Sequence, residues 1–385
     1  MRRSLFLVAI LAVVFAALAG GTAFIVQQGR LGELQRMAAQ AEDMIKSRAY
    51  DDAVAILRKV EARGGTARSS MLLGKIYYDQ GKYDQAMPWF QRIVEKFPDS
   101  DYVADALLYK ARYKLDVDKD ANSARELLLT ILSKWSKSKA NDFALVHLAR
   151  MSLNAGDDAQ AKKNLDIVLK KEESPARDEA EFLIGDINMR ALKSPNPGSG
   201  DETYEIKKGD TIWALERRLK IPGDLLMAIN GITQNLSVGT AIKIPRVEFS
   251  IVIDKAERTL LLRNHGQFLK KYKVGINRDD ATLPPDQYSV SQKFDKGYDY
   301  TDPKTNQPIK PGQPGNPYGT RFLSLRREVG IHGTEEPQKV GTYITKGVVA
   351  MTNPDIEELY GLVQAKPATP VTVKNHVQAE GPPGK

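Results

Sequence analysis

The sequence predicts a multidomain α + β chain: a transmembrane anchor, an α-solenoid, a small βααβ module and a β-rich C-terminal domain. Three observations predict it. A run of 22 uncharged residues, Leu5 to Val26, follows two arginines. A pair of apolar residues, alanine then a large side chain at i, i+4, recurs at intervals of 33, 38 and 37 residues between positions 31 and 192. From residue 249 strand patterns take over: Phe249-Ser-Ile-Val-Ile-Asp254 alternates, and Thr259-Leu-Leu-Leu-Arg263 answers it. A chain of 385 residues has room for about two to four domains.

Composition narrows the function. Apolar content of 42% and charged content of 27% are those of ordinary globular domains. The formal charge of +8 suits attraction to an anionic cell wall or membrane surface, and a solvated basic surface accounts for it equally. No basic stripe interleaved with aromatics points to nucleic acid. The chain has no cysteine, which excludes disulfides, cysteine–zinc sites and a lipid-modified cysteine anchor. Nothing in it calls for a cofactor or a metal.

Taken in order, residues 5–26 read as an anchor. About 20 apolar residues cross a ~30 Å hydrocarbon core. Arg2 and Arg3 hold the N-terminus in the cytoplasm. Ala17-Leu18-Ala19 also fits a signal-peptidase site, but the apolar run continues through Ala23-Phe24-Ile25-Val26, which favours an uncleaved helix in the inner membrane. Either reading, anchor or cleaved signal, exports everything after residue 30 to the cell envelope.

Residues 31–192 read as stacked helix pairs. In Met71 to Pro98 the positions Leu73-Gly74, Tyr77, Ala86, Phe90 and Pro98 fall at the spacing of a tetratricopeptide repeat, which this segment resembles. Small Gly74 and Ala86 let two antiparallel helices approach, Phe90 fills the groove and Pro98 ends the second helix. Ala53/Leu57, Ala124/Leu128 and Ala161/Leu165 repeat the pattern, giving about four pairs and a closing helix near Glu179 to Leu192. Such arrays bury a core only by stacking, and their concave face binds proteins or peptides. A spacer role is the alternative.

Ser194-Pro-Asn-Pro-Gly-Ser-Gly200, within the stretch 193–202, is a flexible linker by composition. Residues 203–246 follow as strand, two capped helices and a returning strand. Tyr204, Ile206, Gly209-Asp210-Thr211-Ile212, Leu215, Leu219, Ile221, Leu225, Ile229-Asn230, Leu236, Gly239, Ile242, Ile244 and Pro245 resemble a lysin motif (LysM) along its full length. That resemblance implies a shallow groove for N-acetylglucosamine chains of peptidoglycan. By position it is formed by Gly209, Asp210, Thr211 and Ile212 on one side and by Asn230, Gly231 and Ile232 on the other. The same residues also suit turns and caps. Trp213 either packs inside the module or stacks on sugar.

Residues 249–375 open with strands around an Asn264-His265-Gly266 turn. The segment Ile331 to Val363 keeps His332, Gly333, Thr334, Gly341, Gly347, Met351, Asn353 and an acidic helix from Asp355. It resembles the active-site segment of the bacterial L,D-transpeptidases, cysteine enzymes that cross-link peptidoglycan. Thr282 to Val290 and Pro311 to Thr320 match two further segments of that family, so the resemblance covers the domain. Where the family has Ser-His-Gly-Cys-Ile-Arg, this chain has Thr345, Lys346, Gly347, Val348, Val349 and Ala350. By resemblance His332 would be the general base, yet Val348 offers no nucleophile and no proton to take. No catalytic residue is therefore expected at His332, Gly333, Lys346, Gly347, Val348 or Ala350.

The resemblance leaves a cleft for stem peptides, with Tyr318, Arg321, His332 and Lys346 as its candidate lining. Lys346 is a fixed cation that can pair with a carboxylate, or simply a solvated substitution; His332 can be a structural histidine. Residues 376–385 read as a disordered tail. The sequence thus describes an exported peptidoglycan-binding protein with an inactive L,D-transpeptidase-like domain, acting as a wall-bound scaffold or regulator. Two alternatives stand beside it. One is an active transpeptidase using Thr345, Thr342 or Ser324; the other is a structural tether with protein-binding repeats only.

Overall fold

The computed structural model describes residues 27–375, apart from 197, 199, 280, 303, 327 and 328. No helix among these residues is long and apolar enough to cross a membrane. This corrects the expected fold class, which included a transmembrane anchor. Residues 27–46 (α1) interleave Arg30, Glu33, Arg36, Glu42 and Lys46 with their apolar positions. The expected anchor at 5–26 and the tail at 376–385 lie outside the described residues.

By contacts the chain divides after Gly156 into two compact units. The first holds α1 and six further helices: α2 (Tyr50–Ala62), α3 (Ala67–Asp79), α4 (Tyr83–Lys96), α5 (Tyr102–Asp116), α6 (Ala121–Lys134) and α7 (Lys139–Asn154). Gly74 on α3 is where the first pair closes: a Cβ there would lie 2.6 Å from the Phe90 ring of α4. The recurrent pairs Ala53/Leu57, Ala86/Phe90 and Ala124/Leu128 are all fully buried. Thr66 and Ser69 form a reciprocal capping box at the start of α3.

The second unit begins with α8 (Asp158–Leu169) and α9 (Arg177–Lys193). The βααβ module follows as β1 (Glu202–Glu205), α10 (Ile212–Leu219), α11 (Gly223–Asn230) and β2 (Ala241–Ile244). Its strands pair antiparallel, Glu202 opposite Ile244. The C-terminal domain is two sheets. One has the order β5-β4-β3-β15-β7, with β3 (Phe249–Asp254), β4 (Thr259–Asn264), β5 (Gln267–Lys273), β7 (Asp286–Ser289) and β15 (Pro370–Lys374). The other has the order β13-β6-β14-β12-β11-β8. Its strands are β6 (Gly275–Asn277), β8 (Gln292–Phe294), β11 (Phe322–Arg326), β12 (Val329–His332), β13 (Tyr343–Ile344) and β14 (Val349–Ala350). A small hairpin, β9 (Tyr300–Thr301) with β10 (Pro308–Ile309), and one helix, α12 (Asn353–Tyr360), complete it.

The β4–β5 turn is the two-residue loop His265-Gly266, with Asn264 paired to Gln267. Both loop residues have positive φ, 49° and 75°, as a type I′ hairpin requires. The core lies between the sheets and is one contiguous apolar cluster. It runs from Met189 of α9 through Ile206, Leu215 and Leu225 of the module into Ile251, Leu262, Tyr272, Ile331 and Met351.

By contacts α8 and α9 group with the second unit. Helix α9 serves as a cover for the edge strand β5 instead of simply closing the array. A Cβ on Gly185 would sit 3.2 Å from the Lys270 Cα, and Asn188 Nδ2 donates to the Leu269 carbonyl at 3.0 Å. Charges complete this contact. Lys270 Nζ lies 2.8 Å from Glu358 and 3.0 Å from Asp186; Lys271 Nζ bonds Asp178 and Glu181. Burial would lower the Lys270 ammonium, but its bonds to Glu358 and Asp186 outweigh that and raise it. The linker 193–202 is likewise held. The buried Lys243 Nζ donates to the Ser194 and Asn196 carbonyls at 2.9 and 3.0 Å and lies 3.1 Å from Asp201. Composition reads Pro, Gly and Ser as mobile; it does not register a lysine on β2 collecting their carbonyls.

Gly185→Leu is expected to push α9 off β5 and destabilise the second unit by about 1–3 kcal/mol. Urea unfolding of the full chain measures this; an unchanged midpoint would show that α9 does not depend on that close approach.

Candidate functional site

The centre of the six-stranded sheet is β12, flanked by β11 and β14. His332 ends β12, in register with Phe322 on one side and Ala350 on the other. Its side chain is 1% exposed. Nδ1 lies 2.7 Å from the Gly333 carbonyl, and Nε2 lies 3.0 Å from the Val348 amide nitrogen. An amide N–H can only donate, so Nε2 must accept. The proton then sits on Nδ1 and is donated to Gly333 O. Both ring nitrogens are satisfied in one neutral tautomer. Burial in apolar surroundings pushes the imidazole down to about 4, against the opposing pull of the Gly333 carbonyl.

Three glycines make this closure possible. Gly347 has φ +77°, and a Cβ there would lie 2.3 Å from His332 Nε2. Cβ atoms on Gly319 and Gly333 would fall 1.9 and 2.3 Å from the Asn353 side-chain oxygen. That oxygen accepts the Thr320 N–H at 3.2 Å, which ties the start of α12 to the loop carrying Tyr318. Thr352 caps the helix through the Asp355 N–H. Aromatic rings close the remaining sides. Tyr318 meets the His332 ring edge-on at 4.7 Å, Phe322 lies parallel to it at 6.0 Å, and Tyr298 stacks on Phe322 at 4.7 Å.

The structure thus brings His332, Gly333, Gly347, Val348 and Tyr318 together. Val348 is 4% exposed; its carbonyl accepts the Asn277 N–H at 2.9 Å, and Asn277 Nδ2 donates to Gly347 O at 2.6 Å. Ala350 is buried opposite Gly275. Lys346 is exposed and makes no side-chain bond among the described residues. Arg321 lies apart, its guanidinium over the Tyr360 ring at 5.4 Å and bonded to the Thr320 and Asp295 carbonyls. Of the hydroxyls, Thr342 donates to the Lys339 carbonyl at 2.7 Å, Ser324 is buried 3.3 Å from the Ser291 hydroxyl, and Thr345 is exposed. Asn277, Tyr298 and Phe322 escaped the sequence reading. The close approach at Gly275, where a Cβ would meet Ile344 at 2.9 Å, is the signal that marks β6 as part of this centre.

In the βααβ module, Ile206 exchanges backbone bonds with Thr240 and Gly239, tying the loop after β1 to the loop before β2. Asp210 accepts from the Lys207 N–H and the Tyr204 hydroxyl, both at 2.8 Å, and these bonds hold its carboxyl below the usual range. Thr211 caps α10 through the Ala214 N–H, and Ile212 is buried beneath it. Asn230 accepts the Lys243 N–H at 2.6 Å and donates to the Leu226 and Lys243 carbonyls. Ile232 packs on the core. Gly209, Thr211 and Gly231 remain exposed, the two glycines at φ +91° and +60°. Trp213 is 64% exposed, with the Arg217 guanidinium 4.7 Å from its ring centre.

Residues 248–373 match the L,D-transpeptidase catalytic domain, 204–245 the LysM domain and 39–101 a tetratricopeptide repeat. A Bacillus subtilis protein named as an L,D-transpeptidase, YkuD, is 26% identical over 169 residues, spanning 42% of this chain and 93% of that protein. A second from the same organism, YqjB, is 26% identical over 155 residues, 39% of this chain and 71% of its own length. Among solved structures, an L,D-transpeptidase from Mycobacterium smegmatis is 15% identical over 36% of this chain, with a TM-score of 0.28; the chain spans 64% of its length. The catalytic domain of an E. faecium L,D-transpeptidase is 18% identical over 33% of this chain and 97% of that domain, with a TM-score of 0.27. This chain therefore carries an L,D-transpeptidase-type domain preceded by a LysM domain and a tetratricopeptide-repeat region, the equipment of a cell-envelope protein that binds peptidoglycan.

Proposed function

We propose that this protein holds peptidoglycan without cross-linking it, as a wall-bound scaffold or regulator whose L,D-transpeptidase-like domain has lost its chemistry. One observation supports this above the others. The lone pair a general base would use, on His332 Nε2, accepts the backbone N–H of Val348, the residue standing where the family has its cysteine. A thiolate enzyme needs a sulfur nucleophile and a base free to take its proton. Here the first is absent from the chain and the second is engaged. The hydroxyls of Thr342 and Ser324 have other partners within reach, which weighs against a serine or threonine replacement.

In this reading the LysM grips N-acetylglucosamine through Gly209 to Ile212 and Asn230 to Ile232. The exposed Lys346 ammonium is the group that meets a stem-peptide carboxylate, whereas Tyr318 and His332 are buried and Arg321 is bonded elsewhere. The repeats recruit a protein partner, an active wall enzyme being the class that a non-catalytic wall binder would position.

Full-length protein incubated with a carbapenem should keep its intact mass, whereas Lys346→His/Val348→Cys/Ala350→Arg should gain one inhibitor per chain. Because Ala350 is buried, the same test is run on Lys346→His/Val348→Cys as a folding control. A covalent adduct on the unsubstituted chain would end the proposal.

His332 also sets a pH dependence. Its folded value, about 4, lies below the ordinary 6.5, so the unfolded chain binds the extra proton between these values. Stability is full above pH 6.5 and falls as pH drops toward 4, by about 3 kcal/mol for this group. Urea midpoints at pH 7, 5 and 4 should show this slope, and His332→Gln should flatten it. An equal slope in both would place the titration elsewhere.

Full-length protein should co-sediment with purified sacculi and be released by chitotetraose. Co-sedimentation that chitotetraose does not disturb would move wall binding away from the LysM.

A further inference from the structure

Trp213 and Arg217 form an exposed platform that neither the LysM loops nor the altered sheet centre uses. Trp213 lies one turn from Arg217 on α10, so the two share a helical face. Its indole is 64% exposed, the second largest exposure of any large apolar residue described, after Val238 at 66%. The Arg217 guanidinium sits over the ring at 4.7 Å. Lys220 follows at the left-handed C-cap, one residue past the end of α10. Both cations are exposed, and neither makes a side-chain hydrogen bond or ion pair among the described residues. The neighbouring Arg218 behaves differently: it packs over Tyr204 and reaches Asp210 at 3.5 Å. The stripe Trp213–Arg217–Lys220 is therefore an aromatic face flanked by two unpaired cations, and it begins two residues from Thr211.

We propose that this stripe is a second sugar subsite, which takes the acidic sugar of wall glycan from which the stem peptides have been removed: an N-acetylated pyranose whose lactyl carboxylate is free. The exposed indole offers an apolar ring for a pyranose face to lie on. The guanidinium beside it is planar, always charged and able to hold a carboxylate with two parallel bonds, and Lys220 adds a second positive charge. A neutral N-acetylglucosamine chain gains only from the ring. A glycan alternating with lactyl-bearing sugars gains from ring and cations together. The stripe thus gives the LysM a preference for peptide-stripped wall glycan over chitin, a discrimination the backbone amides of Gly209 to Ile212 do not supply. This rests on the module being a glycan binder.

The test uses the full chain and two probes in low salt: chitotetraose, and wall glycan strands stripped of their stem peptides. Calorimetry should show the unsubstituted protein binding the stripped strands more tightly. Trp213→Ala should weaken both probes, by about tenfold for the strands. Arg217→Gln/Lys220→Gln should abolish the preference and leave chitotetraose binding unchanged. All three positions are exposed, and far-UV circular dichroism with the thermal midpoint checks that the variants fold. Unaltered affinity of Trp213→Ala for both probes, or a preference that survives loss of both cations, overturns the subsite while the glycan-binding reading stands. An unsubstituted chain that binds neither probe overturns both.

Discussion

The C-terminal domain is organised around a hydrogen bond that consumes a histidine. The Val348 N–H points at His332 Nε2, so the imidazole is locked neutral and in a single tautomer at the centre of a six-stranded sheet. Everything nearby is arranged so that this contact is tolerable. Gly347 has no side chain to strike the ring, Asn353 holds Gly319 and Gly333 at van der Waals limits, and Tyr318 and Phe322 seal the remaining faces. A buried imidazole with an unpaired nitrogen would be costly, and here neither nitrogen is unpaired. Val348 joins the apolar core of the same unit.

A second layer of organisation couples this centre to its surroundings. Helix α12 is the common element. Its first residue, Asn353, fixes the loop beside His332. Near its other end Glu358 accepts from Lys270 and Tyr272, and Lys193 of α9 reaches it at 3.2 Å. Just beyond, Lys293 donates to the Tyr360 and Val363 carbonyls, its ammonium lowered by burial despite the pull of Asp224. Gln364 reaches Glu216 of the LysM. Lys270, Lys293 and Glu358 are largely buried and each is hydrogen-bonded, which is the condition under which buried charges cease to be a liability, while Lys193 and Asp224 stay partly exposed. The LysM and the L,D-transpeptidase-type domain share one core and one polar seam.

Much of the fold was legible in residue pattern alone. Gly74, Ala86 and Phe90 announce a helix pair because only small residues permit that approach, and the distance from Gly74 to Phe90 bears this out. The His265-Gly266 turn follows from the need for two residues at positive φ. Legibility failed where the deciding partner is far along the chain. Nothing local to residues 177–193 says that this helix covers β5, about 80 residues on, because its apolar period serves either purpose. The same holds for Ser194 and Asn196, whose carbonyls are gathered by Lys243, 49 and 47 residues further on. The expected anchor is a correction of a different kind, since no described helix is both long and apolar enough to cross a bilayer.

The sequence by itself determined which chemistry is unavailable, because a chain without cysteine has no thiolate wherever it folds. It also determined the order and kind of its modules, through periods of 3.6 and 2 and through glycines at left-handed backbone positions that few other residues adopt. Only the tertiary structure decided what His332 does, since the lone pair of a ring nitrogen is assigned by whichever donor the fold brings to it. It likewise decided that Asp210 and Asn230 spend their polar atoms on their own loops while Trp213 stays in solvent. Those outcomes depend on distances between residues that no spacing along the chain encodes.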